Sequence, residues 1–181
     1  MRKAEPRIKL TRRQFTLAGA LTGAAAAIGC RSAKTVDWDY LSDNEARTLA
    51  ALCDQIIPAD DFPSASQAGV VTYIDNQLAR QYRRHRVAYH DGLEATDSIS
   101  RQRFGEAFAD ATSAQQLLIV NDLEKQHRDF FDLVREHTME GYYGSPRHGG
   151  NRDAVSWRML GLDEPPLRGR AQYDLRKGGQ S

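Results

Sequence analysis

Residues 42–58 read SDNEARTLAALCDQIIP. Ser42 stands three residues before Glu45, which is the spacing of a capping box, where each side chain accepts a hydrogen bond from the other residue's backbone N–H. One apolar stripe follows at helical spacing, formed by Leu49, Leu52, Cys53 and Ile56. Pro58 then disfavours the helical conformation in the residue before it. The stretch therefore predicts an amphipathic helix that begins after Ser42 and ends before Pro58.

Four more helical patterns follow in the chain. The second covers residues 65–84, where Gly69 is either a small-residue contact or a late start signal, and the third covers residues 86–100. Another helix begins at a second capping-box spacing, Ser113 with Gln116.

The last pattern runs from Phe130 to Met139, and we expect Gly141 to end it as a C-terminal cap. No clear alternating run of apolar and polar residues indicates a strand. The sequence therefore predicts an all-α fold, a single compact domain of about five to six helices.

The N-terminal stretch KLTRRQFTL, residues 9–17, resembles a twin-arginine export signal, carried by Arg12, Arg13 and Phe15. Residues 1–13 have a net charge of +5, and residues 15–28 carry no charge. Fourteen residues are too few to cross a bilayer of about 30 Å of hydrocarbon as a helix, so the run fits the apolar region of a signal peptide. We therefore expect a periplasmic protein exported by the twin-arginine pathway.

Two interpretations of the end of this signal are open. Residues 27–30, Ala-Ile-Gly-Cys, resemble a lipoprotein cleavage box in which Cys30 becomes the lipidated first residue. Alternatively, cleavage occurs at one of the nearby small residues, and Cys30 is removed or left free. A lipidated Cys30 would hold the protein at a membrane surface without a transmembrane span.

Composition limits the possible partners. The whole chain has a net charge of +1, so residues 14–181 carry −4, and a mildly acidic protein argues against nucleic acid as the partner.

We divide the chain into a signal peptide (1–30), a tether (31–40), a helical domain (41–162) and a polar flexible tail (163–181). After removal of the signal, about 150 residues remain, which is the size of one domain.

The sequence offers no clear catalytic or metal-binding set. We expect His85 and His90 to lie on a solvated surface and Cys53 to lie in the core. No histidine pair has the i, i+4 spacing of a helical metal site, and no haem-attachment, dinucleotide or phosphate-loop motif is present. An enzyme that uses His137 or His148 as acid or base would need a buried histidine–carboxylate pair in a cleft.

The segment 141–151, GYYGSPRHGGN, concentrates glycine with aromatic and basic residues. Glycines let a backbone approach a partner closely, and aromatic residues and arginine anchor interfaces. The segment is therefore a candidate docking surface. The other interpretation is an ordered loop that packs over its own core, with Tyr142 or Trp157 as a lid.

The motifs together resemble the gluconate 2-dehydrogenase subunit 3 family. The resemblance rests on LAALCDQIIPAD at residues 49–60 followed by AGVVTYID at residues 68–75. It continues in the segment 131–160, with HTMEGYYGSP from His137, then Gly149-Gly150-Asn151 and Trp157. A departure occurs at residues 63–65, where Pro-Ser-Ala stands in place of Pro-Gly-Ala.

The resemblance implies a non-catalytic accessory subunit without a cofactor of its own. Such subunits accompany an FAD-dependent dehydrogenase of the glucose-methanol-choline type, often with a multihaem cytochrome c, and are thought to help the flavoprotein mature and cross the membrane folded. The alternative is a stand-alone periplasmic lipoprotein with a structural or binding role. We predict that the partner interface includes Tyr73, Gly141, Tyr142, Tyr143, Gly144, Pro146, Gly149, Gly150, Asn151 and Trp157.

Overall fold

A computed structural model describes residues 37–162, which fold into six α-helices with short 3-10 turns between them and no strand within that range. Helices make up 71% of these residues, so the predicted all-α fold is confirmed. The predicted signal peptide, Cys30 and the tail from residue 163 lie outside the described residues. The helices are α1 (Asp43–Ile56), α2 (Val70–Ala79), α3 (Arg86–Phe104), α4 (Ser113–Gln126), α5 (Arg128–Tyr143) and α6 (Val155–Met159).

Helix α1 lies at the centre of the domain and contacts α2, α3, α4 and α5. The predicted capping box is present at its start: Ser42 Oγ accepts from the Glu45 N–H, and the Glu45 carboxylate accepts from the Ser42 N–H. Leu49, Leu52 and Cys53 are completely buried. Among the described residues, the buried hydrophobic core extends from Leu41 to Val155.

Several predicted boundaries are wrong by a few residues. Helix α2 covers only residues 70–79 of the predicted 65–84. Gly69 caps its start in a left-handed conformation (φ +85°), which confirms the interpretation of this glycine as a late start signal. Helix α3 continues beyond the predicted residue 100 to Phe104, where Gly105 ends it. The second capping box uses Thr112 and Gln115, one residue earlier than predicted, so that Gln116 turns inward and donates to the Phe108 carbonyl.

The predicted role of Gly141 as a helix cap is wrong. Helix α5 continues through Gly141 to Tyr143, and Gly144 follows it as the cap. Gly141 has a packing role instead, since a Cβ atom there would lie 2.8 Å from Cδ1 of Tyr73 on α2. Its missing side chain therefore sets the close approach of α2 and α5.

A buried carboxylate fixes the chain at its entry to the domain. Asp75 on α2 is 3% exposed and accepts backbone N–H bonds from Asp39, Tyr40 and Leu41 at 2.7, 2.9 and 2.8 Å. Hydrogen bonds to a carboxylate are stronger than those between neutral groups. The segment just before α1 is thereby held against α2.

Candidate functional site

The loop of residues 144–154 packs with its backbone directly against α5. A Cβ atom on Gly150 would lie 2.1 Å from the carbonyl oxygen of Gly141, a distance at which something must shift. On the α2 side, a Cβ atom on Gly69 would lie 2.7 Å from the Gly149 carbonyl oxygen. The Arg152 N–H also donates to the Ala68 carbonyl at 2.8 Å. The glycines of the motif thus serve contacts within the chain.

Asn151 holds the second half of this loop from inside. It is completely buried and has a left-handed backbone (φ +44°). Its Nδ2 donates to the Gly144 carbonyl at 2.8 Å, and its Oδ1 accepts from the Ser156 N–H at 2.9 Å. Asparagine adopts the left-handed region more readily than most residues, and its short amide reaches both backbone groups.

The aromatic residues beside the loop also bond within the chain. Tyr142 is 2% exposed and donates its hydroxyl to the Pro63 carbonyl at 2.8 Å. The Trp157 indole donates to the Tyr143 carbonyl at 2.9 Å. Tyr142 and Trp157 therefore behave as expected for an ordered loop that packs over its own core. The predicted partner interface stays a prediction, since packing within the chain does not test it.

The predicted interface residues divide into buried and accessible sets. The buried set is Tyr73, Gly141, Tyr142, Gly150 and Asn151. The set with some exposure is Tyr143, Gly144, Pro146, Gly149 and Trp157. Only the second set is able to touch a partner directly, and the first set shapes the surface that carries it.

An exposed apolar edge lies next to this loop, and sequence reasoning did not identify it as a whole. We define it as Met139, Tyr143, Leu160 and Leu162, which are 37–55% exposed. The first two stand one turn apart on α5, and Trp157 connects them to the end of α6 through its bond to the Tyr143 carbonyl. The available signal was Met139, an apolar side chain on the side of α5 away from the core.

A second cluster, also missed, joins α2, α3 and α5 through tyrosines and a histidine. The Tyr82 ring stacks on the His137 ring with centroids 4.2 Å apart, and the Tyr89 hydroxyl lies 2.9 Å from His137 Nδ1. The hydroxyls of Tyr82 and Tyr73 donate to Glu140 Oε2 at 2.6 and 3.1 Å. Tyr73 therefore connects this cluster to Gly141 and the loop.

Burial keeps His137 neutral. It lowers the pKa of the imidazole to about 4, and the nearby Glu140 opposes the shift while His85 and Arg84 add to it. Burial and the hydrogen bond to Glu140 raise the pKa of the Tyr82 hydroxyl. The neutral side chains of His137 and the tyrosines therefore lie beside the carboxylate of Glu140.

The hydrogen-bond partner of His137 is not the carboxylate that an acid–base enzyme would need. His137 bonds to the hydroxyl of Tyr89, and the neighbouring carboxylate of Glu140 accepts from tyrosines. His148 lies exposed in the 3-10 turn Pro146–His148. A cleft of about 860 Å³ between α3 and the α4–α5 junction is lined by residues that include His85 and His127.

The other expectations for single residues have mixed outcomes. Cys53 is buried as predicted, and burial raises the pKa of its thiol to about 12. His90 is exposed as predicted and pairs with Glu45 at 2.9 Å. His85 is partly exposed: it accepts from Arg84 Nε at 2.9 Å on the surface, and its ring meets His137 edge-on at 5.5 Å. Within residues 37–162, no group of three or more acidic, histidine or cysteine side chains is placed to hold a metal ion.

The comparisons with known proteins give one match. No curated protein and no solved structure matches the chain. The family model described as gluconate 2-dehydrogenase subunit 3 matches residues 43–163, which is most of the chain and the whole helical region from α1 to α6. The chain belongs to the gluconate 2-dehydrogenase subunit 3 family.

Proposed function

We propose that this chain is a non-catalytic accessory subunit of a periplasmic FAD-dependent dehydrogenase of the glucose-methanol-choline type. It binds the flavoprotein, helps it mature and carries it through the twin-arginine pathway. The observation that carries the proposal is the family match over residues 43–163, because the family implies membership in a gluconate dehydrogenase complex with other subunits. FAD, and haem c where a cytochrome subunit is present, belong to the partners.

The export signal in the sequence fits this role. A flavoprotein takes up FAD where FAD is made, inside the cell, and a pathway for folded cargo then suits it. Arg12, Arg13 and Phe15 supply one signal, and a tightly bound complex needs only one. The substrate, a sugar, polyol or sugar acid, is bound by the flavoprotein.

We place the contact with the flavoprotein at the exposed apolar edge and the accessible part of the 144–154 loop. Exposed apolar side chains that adjoin one another mark protein interaction sites, and aromatic residues such as Tyr143 and Trp157 are frequent anchors there. An obligate interface buries about 2,000 Å² or more, so the edge would form its apolar centre. Gly150 and Asn151 contribute by fixing the loop from inside.

The first test is purification of the tagged chain from its native host. We expect a flavoprotein to co-purify in equal amount and to show flavin absorbance. Replacing Arg12→Lys and Arg13→Lys should remove both chains from the periplasm together. A lone, colourless protein at native expression would contradict the proposal and favour the stand-alone lipoprotein.

A second test locates the contact. In the double variant Met139→Asp with Tyr143→Asp, we expect the flavoprotein to be lost from the pull-down, because two charges would enter an apolar interface. The matched control is Leu117→Asp with Leu118→Asp, since these α4 side chains are 50% and 47% exposed and equally apolar. Loss of the partner in the control alone would place the contact on α4.

A further inference from the structure

Arginine side chains concentrate on the connection between α2 and α3. Residues 37–162 hold 13 arginines and lysines against 20 acidic residues, a net charge of −7. Four of these arginines fall within seven residues, at positions 80, 83, 84 and 86, and no acidic residue occurs between Asp75 and Asp91. Among the described residues, none of the four forms a salt bridge. The connection between α2 and α3 is thus a strongly basic segment of an acidic domain.

The chain enters the domain beside this surface. The Arg86 guanidinium lies 4.6 Å from the centroid of the Tyr40 ring, and the Tyr40 hydroxyl donates to the Arg86 carbonyl at 3.3 Å. Asp75 holds the same entry segment by its backbone. Cys30 stands only eight residues before Trp38, a reach of at most about 28 Å for an extended chain. The predicted signal therefore ends within a short length of chain from the entry segment.

The side chains here suit a lipid surface in two ways. Arg80, Arg83 and Arg84 are exposed, and Val87, 70% exposed, is the most exposed of the large apolar side chains described. Basic residues that surround a protruding apolar one are typical of proteins that bind anionic bilayers, where headgroups attract the cations and the apolar side chain enters the interface. Asp91 stands one helical turn after Val87 on α3, and Glu140 accepts the Tyr82 hydroxyl.

We propose that Arg80, Arg83, Arg84 and Val87 form a membrane-facing surface that binds anionic phospholipid headgroups. None of these four residues belongs to the exposed apolar edge, but Arg80 lines a groove with Arg147 and His148, so the surface borders the 144–154 loop. It acts within about 10 Å of the bilayer, since salt screens exposed charges beyond that distance. Among the described residues no helix combines the length and apolar character needed to cross a membrane, and this surface requires none.

The test uses residues 31–181, which retain every core residue of the described range and lack the +5 leader that would itself bind anionic vesicles. Sedimentation with vesicles of phosphatidylcholine alone, and of phosphatidylcholine with 30% phosphatidylglycerol, gives the partition coefficient. We expect binding to the anionic vesicles only, with loss at high salt. The triple variant Arg80→Gln, Arg83→Gln and Arg84→Gln should bind on the order of a hundredfold more weakly, because each arginine near the surface contributes roughly fivefold.

The matched control is Arg103→Gln, Arg128→Gln and Arg135→Gln, which removes the same charge from α3 and α5 and should keep most of the binding. Circular dichroism checks that each protein retains its helices. Equal partition of the two triple variants, equal binding to both vesicle types, or no binding at all would overturn the proposal. If the α2–α3 variant instead binds vesicles normally but loses the flavoprotein, the surface is a protein contact and the membrane assignment is wrong.

Discussion

The 144–154 loop and the α2–α3 connection both join helices and both carry polar residues, yet they use them in opposite ways. The loop buries Gly150 and Asn151, and the Asn151 side chain bonds to the Gly144 carbonyl and the Ser156 N–H. The connection exposes Arg83 and Arg84, which form no salt bridge among the described residues. A glycine-rich motif that ends in an asparagine can therefore specify packing within the chain. The exposed arginines lie instead in a segment that no short motif identifies.

The largest effect is expected at Gly150. In Gly150→Ala the new Cβ atom would meet the Gly141 carbonyl oxygen, and backbone on both sides leaves little freedom to move. We expect a loss of at least about 3 kcal/mol in the free energy of unfolding, the upper range for overpacked sites. Chemical denaturation measures it.

Gly105→Ala is the control for this prediction. Gly105 has φ +80° but no atom within 4 Å of a built Cβ, so only the left-handed conformation is penalised, at about 1 kcal/mol. If Gly150→Ala and Gly105→Ala lose the same free energy of unfolding, the 144–154 loop packs less tightly against α5 than the structure shows.

Asn151→Gly should have the next largest effect. Glycine keeps the left-handed conformation but removes the amide that satisfies the Gly144 carbonyl and the Ser156 N–H. Leaving two buried backbone groups without partners should lower the free energy of unfolding by about 2 kcal/mol. Asn151→Ala should lose about 1 kcal/mol more, because alanine also resists the left-handed backbone. If both variants are as stable as the original, the loop is not held through this side chain.

The sequence predicted the helices well where the signal is local. The capping box of Ser42 and the apolar stripe of α1 depend on neighbouring residues, and both are confirmed. Gly141 was misassigned because its role depends on Tyr73, 68 positions away along the chain, and no local pattern reports such a contact. The start of α2 was different, since the glycine at position 69 was itself a local signal for it.

The candidate site was predicted only in part. The segment 141–151 was identified from its composition, which cannot separate a surface that binds a partner from one that packs on its own core. The cluster of Tyr82, Tyr89 and His137 was missed, because its members come from three segments and each is unremarkable alone.

The connection between α2 and α3 is attached to the core where the Tyr82 ring stacks on His137. Because His137 is buried, the free energy of unfolding should depend on pH. Burial lowers the pKa of His137 to about 4, below the value near 6.5 expected in the unfolded chain. The unfolded state therefore binds the proton first as pH falls. This residue should reduce the free energy of unfolding by about 1 kcal/mol between pH 7.5 and 5.5, with the decline ending near pH 4.

The variant His137→Asn isolates this effect. Its free energy of unfolding should vary less between pH 7.5 and 5.5 than that of the original chain, although it starts from a lower value. His148→Asn is the control, since His148 is exposed and its removal should leave the pH dependence unchanged. Parallel pH curves for the original chain and His137→Asn would show that this imidazole titrates normally in the folded protein.

The smallest effect on stability is expected from the arginines of the connection. We expect a small effect in the triple variant Arg80→Gln, Arg83→Gln and Arg84→Gln, because these side chains are exposed. Its free energy of unfolding, measured by thermal denaturation, should stay within about 0.5 kcal/mol of the original. The Arg83 guanidinium donates to the Ala79 carbonyl at 3.1 Å, and water replaces that bond readily. Removing Arg84 should also raise the pKa of His137 slightly, since the Arg84 charge helps to lower it. A loss above about 1.5 kcal/mol would mean that the arginines support the fold, and the contrast with the buried polar groups of the 144–154 loop would fail.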